Sequence, residues 1–226
     1  MGGYAKHINK GLLPLDNKAI ITHMIDKIPK DYEIVVALGY RGDMVREYCL
    51  AAHTDRTFKF VEVDKYDGEG TGPSYSINQC KEYLQRPFIW VTADTIVSDE
   101  LPRLNTNWLG VYPTGIPELY ATINVDGDNA INLKNKNKQG YDDAFIGLAS
   151  VYDYETFWNE LDVDSGEIVS AYYNLNKYSS MKVKRFDWYD VGTIDNYIKA
   201  KNLFKGSTVY SIPKVNGEFL YKVNDK

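Results

Sequence analysis

The spacing of hydrophobic residues in the first half of the chain alternates between a helical period and continuous apolar runs. From Asn17 to Ile28, apolar side chains recur every three or four residues, which predicts a helix that ends before Pro29. The apolar run from Tyr32 to Leu38 predicts a parallel strand that is covered on both faces. Downstream we expect a helix after Asp43, a strand at 57–63, a helix from Ser74 and a strand at 87–92.

This order of elements predicts an α/β fold with a central mixed, mostly parallel sheet in a Rossmann-like three-layer arrangement. Folds of this class bind ligands at the carboxyl ends of their strands. Gly39, the glycine-rich loop at 67–73 and Asp94 all fall at such ends. We therefore expect the functional site at this edge of the sheet.

The second half of the chain has a different pattern. A hairpin is predicted around Asp126-Gly127-Asp128, followed by a buried strand at 144–151. Further expected elements are a helix capped by Asp153, a strand at 181–186 and a helix capped by Thr193. We assign residues 1–206 to one domain, and residues 207–226 to a C-terminal hairpin or to the start of a following domain.

Composition narrows the choice of partners and of chemistry. The formal net charge is −5 and there is no long Lys/Arg run, which argues against nucleic-acid and membrane-surface binding. Cys49 and Cys80 fall at apolar helix positions, so we expect free buried thiols and no zinc site. There is no signal-peptide pattern and no apolar run of membrane-spanning length, which predicts a cytoplasmic protein.

Asp94 and Asp190 are the candidates for metal chemistry. Each follows an apolar stretch, and Asp190 precedes Gly192-Thr193. If the two carboxylates converge, they could hold Mg²⁺ against phosphate groups; the alternative is that each only caps a turn. The histidines share no metal-ligand spacing, and residues 39–42 lack the three-glycine fingerprint of a dinucleotide site.

An ordered series of short motifs resembles the sugar-phosphate nucleotidyltransferases, including their phosphocholine cytidylyltransferase branch. The matching segments are 10–15 (KGLLPL), 37–40 (ALGY), 70–76 (GTGPSYS), 92–94 (TAD), 145–148 (FIGL) and 188–193 (WYDVGT). Each motif is weak alone, but the set in this order is a more specific signal.

The resemblance implies a role for each matching residue. Lys10 would neutralise phosphate charge in catalysis, and Asp94 and Asp190 would be catalytic Mg²⁺ ligands. The residues implied in nucleotide binding are Gly39, Tyr40, Gly70, Gly72, Pro73, Ser74 and Ser76. Those implied in acceptor binding are Gly147, Glu167, Trp188 and Tyr189. Of these, Trp188 and Tyr189 could contact a quaternary ammonium group through cation–π attraction.

The function that the resemblance implies is transfer of a nucleotide from a nucleoside triphosphate, with CTP favoured, to a phosphorylated small molecule. The acceptor would be a sugar phosphate or a phosphocholine-like compound, pyrophosphate would be released, and the product would feed surface polysaccharide synthesis. Two alternatives stay open: a non-catalytic module that binds nucleotide and acceptor, and a metal-dependent glycosyltransferase. The second would use an Asp-x-Asp motif, of which residues 92–94 supply one carboxylate.

The sequence departs from the resembled family at its beginning. Members of that family open with a hydrophobic strand and a glycine-rich loop that ends in Arg, and the segment before Lys10 contains neither. We expect a form that starts at Met1 to bind triphosphate weakly, to turn over slowly and to self-associate, for example as a homodimer, through an exposed sheet edge. Residues 217–226 resemble the opening strand of a choline-kinase-like domain, so the native gene could encode a fused kinase-like domain; a closing hairpin is the alternative.

Overall fold

The computed structural model describes residues 6–203, 214–215 and 218–219, and within them it shows a mixed α/β fold. The strands are β1 (Pro14–Leu15), β2 (Lys18–Ala19), β3 (Glu33–Leu38), β4 (Thr57–Glu62), β5 (Phe88–Val91), β6 (Thr95–Val97), β7 (Trp108–Pro113), β8 (Thr122–Asp126), β9 (Asn129–Lys134), β10 (Asp143–Val151), β11 (Lys182–Arg185), β12 (Trp188–Asp190), β13 (Lys214–Val215) and β14 (Glu218–Phe219). The α-helices are α1 (Ile20–Ile25), α2 (Gly42–Ala52), α3 (Pro73–Gln79), α4 (Tyr154–Glu160), α5 (Val169–Tyr178) and α6 (Ile194–Leu203).

The largest sheet has six strands in the order β5-β10-β7-β11-β9-β8. An additional pairing between β10 and β8 closes the ladder of β10, β7, β11, β9 and β8 into a ring. The sheet is mixed, as the sequence predicts, but the prediction that it is mostly parallel is wrong: only β7 and β11 run parallel within it. Short turns such as the one between β8 and β9 impose antiparallel pairing, whereas β7 and β11 are joined by a long crossover that contains α4 and α5.

Strand β10 is buried on both faces, as its continuous apolar sequence predicts. Phe145, Ala149 and Val151 pack in a cluster with α4 and α5, while Ile146 and Leu148 pack on the opposite side with α1 and β6. Strand β10 therefore contacts hydrophobic core on both of its faces.

Strands β3 and β4 form a separate parallel pair in register from Glu33 opposite Thr57 to Leu38 opposite Glu62. The prediction of a parallel strand is confirmed, but the prediction that β3 is covered on both faces is not. Ile34, Val35 and Val36 are only half-buried, and among the described ladders β3 pairs with β4 alone. One edge of β3 thus makes no described strand pairing.

The remaining short ladders join parts of the chain that are distant in sequence. Strands β6 and β12 pair antiparallel, with Thr95 opposite Asp190 and Val97 opposite Trp188. At the C-terminus, β13 pairs with β14. Most of the predicted C-terminal segment 207–226 lies outside the described residues, and the division of the chain at residue 206 stays a prediction.

Candidate active site

The first candidate carboxylate, Asp94, lies in the tight turn between β5 and β6. The backbone N–H of Thr92 donates to the carbonyl of Gly147 at 2.8 Å, and the hydroxyl of Thr95 donates to the carbonyl of Ile146. Both bonds tie the turn to β10, so the strand that crosses the core also fixes the position of Asp94.

Gly147 is required at this junction for two reasons. Its φ is +72°, and a Cβ atom there would lie 2.4 Å from the Thr92 hydroxyl oxygen. The pairing of β10 with β7 also shifts register between Phe145 and Ala149, which marks a bulge around the glycine. The structure thus places Gly147 against the Thr92–Thr95 turn; its predicted contact with an acceptor stays a prediction.

The pairing of β6 with β12 brings Asp190 close to Asp94. The backbone N–H of Val191 donates to the carbonyl of Asp94 at 3.0 Å. A Cβ atom at Gly192 would lie 3.0 Å from Asp190 Oδ1 and 3.2 Å from Asp94 Oδ2. The two carboxylates therefore converge on one side of Gly192; metal binding by the pair stays a prediction.

Lys10 brings positive charge to this pair. Its Nζ atom lies 2.6 Å from Asp94 Oδ2. Burial alone would raise the pKa of Asp94, but the charge and the hydrogen bond of Lys10, with a further hydrogen bond from Thr92, lower it below its usual value. Asp94 is therefore ionised at neutral pH.

Asp190 is held by neutral donors instead. Its Oδ1 atom accepts the Gly192 N–H at 2.7 Å. Its Oδ2 atom accepts the Tyr120 hydroxyl at 2.9 Å and the Asn196 amide at 2.7 Å. Burial, together with the hydrogen bond to this carboxylate, raises the pKa of Tyr120 to about 12, so Tyr120 stays a hydrogen-bond donor.

Three aromatic rings lie beside Asp190. Tyr112 and Tyr120 both meet Trp188 edge to face, with ring centroids 5.8 and 5.4 Å from that of Trp188. Tyr189 follows Trp188 in β12. Consecutive residues on a strand point to opposite faces, and Tyr189 packs near Leu15 and Ile20 with its hydroxyl donating to Asp187. The predicted contact of Tyr189 with an acceptor stays a prediction.

The nucleotide-binding candidates Gly39 and Tyr40 lie after β3, next to the segment that carries Lys10. Asn9 donates to the Tyr40 carbonyl at 2.6 Å, and the Tyr40 hydroxyl donates to the Lys6 carbonyl at 2.7 Å. A Cβ atom at Gly39 would lie 2.9 Å from Cβ of Tyr66. One short segment thus links the end of β3 to the Lys10–Asp94 pair.

The other nucleotide-binding candidates lie in the loop of residues 70–76. Gly70 has a φ of +78°, Gly72 caps α3, and Pro73 occupies its first turn. Ser76 donates its N–H to the Gly72 carbonyl at 3.0 Å. The buried Ser74 donates its hydroxyl to the Val163 carbonyl at 3.2 Å.

Glu167 belongs to the loop that packs against these glycines. A Cβ atom at Gly72 would lie 2.1 Å from the carbonyl oxygen of Gly166, so only a glycine allows this approach. Glu167 itself lines a cavity of about 350 Å³ together with Leu133 and Tyr173. The loop that carries Glu167 contacts the glycine-rich loop at two points: Gly166 lies against Gly72, and the Val163 carbonyl accepts the Ser74 hydroxyl. The predicted contact of Glu167 with an acceptor stays a prediction.

Tyr120, Asn196 and Tyr112 are not among the site residues that the sequence predicts. Tyr120 lies shortly before the predicted hairpin and resembles the many other tyrosines of this chain. The sequence offers one indication for Asn196, which follows the predicted helix cap Thr193 by three residues. In the structure, the Asn196 N–H donates to the Thr193 hydroxyl at 3.2 Å. A polar residue in the first turn of a helix beside a conspicuous carboxylate is a reasonable candidate partner.

Within the described part of the chain, no helix is both long and apolar enough to cross a membrane.

Cys49 and Cys80 are buried free thiols, as predicted, and burial raises the pKa of each to about 11.

Comparison with known proteins gives matches at the level of structure. The sequence matches no protein-family model and no curated protein. A structure assigned as a glucose-1-phosphate thymidylyltransferase from Bacillus anthracis, in complex with sucrose, superimposes with a TM-score of 0.77 at 18% identity over 93% of this chain and 92% of that one. A UDP-glucose pyrophosphorylase complexed with UDP-glucose gives 0.72 at 15% identity over 90% and 93% of the two chains.

A nucleoside-diphosphate-sugar pyrophosphorylase from Vibrio cholerae gives a TM-score of 0.66 at 14% identity, over 88% of this chain and 93% of that one. Identities this low carry information about the fold alone. All three similar structures are sugar nucleotidyltransferases, and the present chain has the fold that they share.

Proposed function

We propose that this protein is a nucleotidyltransferase that joins a nucleoside triphosphate, with CTP favoured, to a phosphorylated small molecule and releases pyrophosphate. The observation that carries the proposal is the convergence of Asp94 and Asp190 on Gly192, with the Lys10 ammonium group bonded to Asp94. A turn-capping role for each carboxylate would not require the two to meet. The shared fold with sugar nucleotidyltransferases supports the same conclusion.

The residues present fit a magnesium ion. The site offers two carboxylates and, at Gly192, a position where any side chain would contact both of them. This suits Mg²⁺, which binds through one or two carboxylates and leaves its other positions to water and substrate phosphates. When bound, Mg²⁺ would neutralise charge on the triphosphate.

In the proposed reaction, a phosphate oxygen of the acceptor forms a bond to the α-phosphorus of the triphosphate. The bond from the α-phosphorus to the bridging oxygen of the β-phosphate breaks, and its electron pair leaves with pyrophosphate. No covalent enzyme intermediate is needed, so the residues of the chain act by positioning and by charge. Lys10 would move from Asp94 toward the phosphates and stabilise the charge that develops on them.

The aromatic cluster of Tyr112, Tyr120 and Trp188 supports an acceptor that carries a sugar ring or a quaternary ammonium group. Aromatic faces attract alkylammonium cations through the ring quadrupole, and the adjacent Asp190 adds negative charge. The cluster therefore suits both acceptor classes that the sequence suggests, with the phosphate of the acceptor directed toward Asp94 and Lys10. We further propose that the product serves surface polysaccharide synthesis. For the fold, we propose that helices cover the sheet in a Rossmann-like three-layer arrangement.

The nucleotide would lie on the side of Gly39 and the loop of residues 70–76. Gly70 leaves its backbone groups open to a base, because a Cβ atom there would meet nothing within 4 Å, and the neighbouring Tyr75 and Ser76 would supply polar contacts. Tyr75 is anchored, because its hydroxyl donates to Asp64 at 2.5 Å.

A pyrophosphate-release screen tests this function. The four common ribonucleoside triphosphates and dTTP are each combined with glucose 1-phosphate, phosphocholine and related acceptors, with and without Mg²⁺. The proposal predicts release that needs one triphosphate, one acceptor and the metal together. Calorimetric binding of an acceptor with no release in any combination would favour the non-catalytic module, and turnover of a nucleotide sugar would favour a glycosyltransferase.

A further inference from the structure

The two oxygens of Asp190 have different surroundings. Each carboxylate oxygen offers about two lone-pair positions. Both positions of Oδ2 are used, one by the Tyr120 hydroxyl and one by the Asn196 amide. Oδ1 accepts a single described bond, from Gly192, and is the oxygen on the side of Gly192 where Asp94 also lies. The free lone pair of Asp190 is therefore on Oδ1, which lies beside Gly192 as Asp94 Oδ2 does.

The donors to Oδ2 are neutral and come from separate elements. Tyr120 lies in the segment between β7 and β8, and Asn196 lies in α6. Asp94, in contrast, is paired with the cation Lys10. These neutral donors orient the Asp190 carboxylate without placing a cation beside it, so the described contacts leave a position for a cation at Oδ1.

Tyr120 also belongs to the aromatic cluster, because its ring meets Trp188 edge to face. One side chain thus contacts both the carboxylate and the surface that we assign to the acceptor. Tyr112 makes the same kind of ring contact with Trp188, but no described hydrogen bond joins it to Asp190.

We propose that Tyr120 and Asn196 are positioning residues that turn Oδ1 of Asp190 toward Asp94 for metal binding. We also propose that Tyr120 couples metal binding to occupation of the acceptor pocket. The inference rests on the proposed function for the presence of a metal at this site. Residues that orient a metal ligand through hydrogen bonds typically contribute about 10- to 100-fold to metal affinity.

Binding of Mn²⁺, followed by the decrease in the electron paramagnetic resonance signal of the free ion, measures the metal site without turnover. Tyr120→Phe should weaken Mn²⁺ binding about 10- to 100-fold, and Asn196→Ala should weaken it to a similar extent, since it removes the second donor to the same oxygen. Tyr112→Phe is the matched control and should bind Mn²⁺ like the wild type. Two donors from different elements keep the test decisive if one variant folds poorly.

A second readout separates positioning from general damage. If Tyr120 acts only through the metal ligand, high Mg²⁺ should restore most of the kcat of Tyr120→Phe in pyrophosphate release. The acceptor should also tighten Mn²⁺ binding in the wild type and do so less in this variant. A structural defect would not respond to Mg²⁺ concentration.

The outcomes distinguish this inference from the proposed function. Asp190→Asn should abolish the Mn²⁺ site; equal binding in Asp190→Asn and the wild type would overturn both proposals. If Asp190→Asn loses the metal while Tyr120→Phe and Asn196→Ala both bind it normally, the positioning role is wrong and the proposed function stands.

Discussion

At the scale of single residues, the geometry of the site depends on glycines that allow two segments of the chain to approach closely. Gly147, Gly192 and Gly72 each lie where a Cβ atom would collide with, or press against, a group of the candidate site or of its loops. The sequence marks all three as members of short motifs, but it does not say what each one touches. That information depends on the fold, because the contacted atoms come from other segments.

Gly147 offers a direct test of this dependence. In Gly147→Ala, the left-handed backbone alone should cost about 1–2 kcal/mol, and the collision with Thr92 should add roughly 1–3 kcal/mol. Gly127→Ala is the matched control, since Gly127 has a φ of +55° and a Cβ atom there would meet nothing within 4 Å. Urea unfolding of both variants measures the difference; equal free energies of unfolding would show that β10 adapts to the extra methyl group at no cost.

At the scale of elements, the sequence predicts the segments whose pattern is set by burial. Strand β10 and the parallel strand β3 follow from their apolar runs, and the hairpin of β8 and β9 follows from its Asp-Gly turn. Strand β7 was missed, in part because Gly110 interrupts it. The structure explains this glycine: a Cβ atom there would lie 3.0 Å from the side chain of Ile146 and from the carbonyl of Leu148.

The short ladder of β6 and β12 and the helix α5 were also not predicted. Strands of three residues are too short to show a period, so their pairing is decided by tertiary contacts. Helix α5 contains several tyrosines and a valine, residue types that favour strands, and it is stabilised by packing of Tyr172 and Leu175 in the core. Local preference was overridden by burial in this segment.

The contact between α1 and the end of α2 should make the free energy of unfolding depend on pH. His53 is buried, and its Nε2 atom lies 3.0 Å from the Thr22 hydroxyl. Burial lowers the pKa of His53 below 6.5, with nearby Arg56 and Lys18 acting in the same direction and Asp26 and Asp55 opposing it. Between the lowered pKa and about 6.5, the unfolded chain binds more protons than the folded one. The free energy of unfolding should therefore fall as the pH drops below about 6.5.

Urea unfolding at pH 7.5 and pH 5.5 checks this expectation. His53→Gln removes the titrating group, so its stability should change less between the two pH values than that of the wild type. His7→Gln, which replaces an exposed histidine, is the control and should keep the wild-type dependence. If His53→Gln loses as much stability as the wild type on acidification, another group controls the acid sensitivity.

At the scale of the whole molecule, the candidate site joins four regions that are far apart in sequence. Lys10, Asp94, Tyr120 and Asp190 come from the N-terminal segment, the β5–β6 turn, the segment before β8 and the end of β12. The motifs predicted three of these residues, because they stand at strand ends or in recognisable runs. Tyr120 could not be found in this way, since its role depends on the closure of the β8–β10 pairing and on its distance to Asp190.

The central claim is that Asp94 and Asp190 act as one metal-binding pair in nucleotidyl transfer. The most direct test is the rate of Mg²⁺-dependent pyrophosphate release in the wild type, Asp94→Asn, Asp190→Asn and the control Asp195→Asn, which alters an exposed carboxylate of α6. Loss of a group that stabilises a transition-state charge typically lowers kcat by about 100- to 1,000-fold. We expect losses of at least that size in Asp94→Asn and Asp190→Asn, with circular dichroism unchanged and Asp195→Asn active. Rates close to the wild type in both Asp94→Asn and Asp190→Asn would contradict the account.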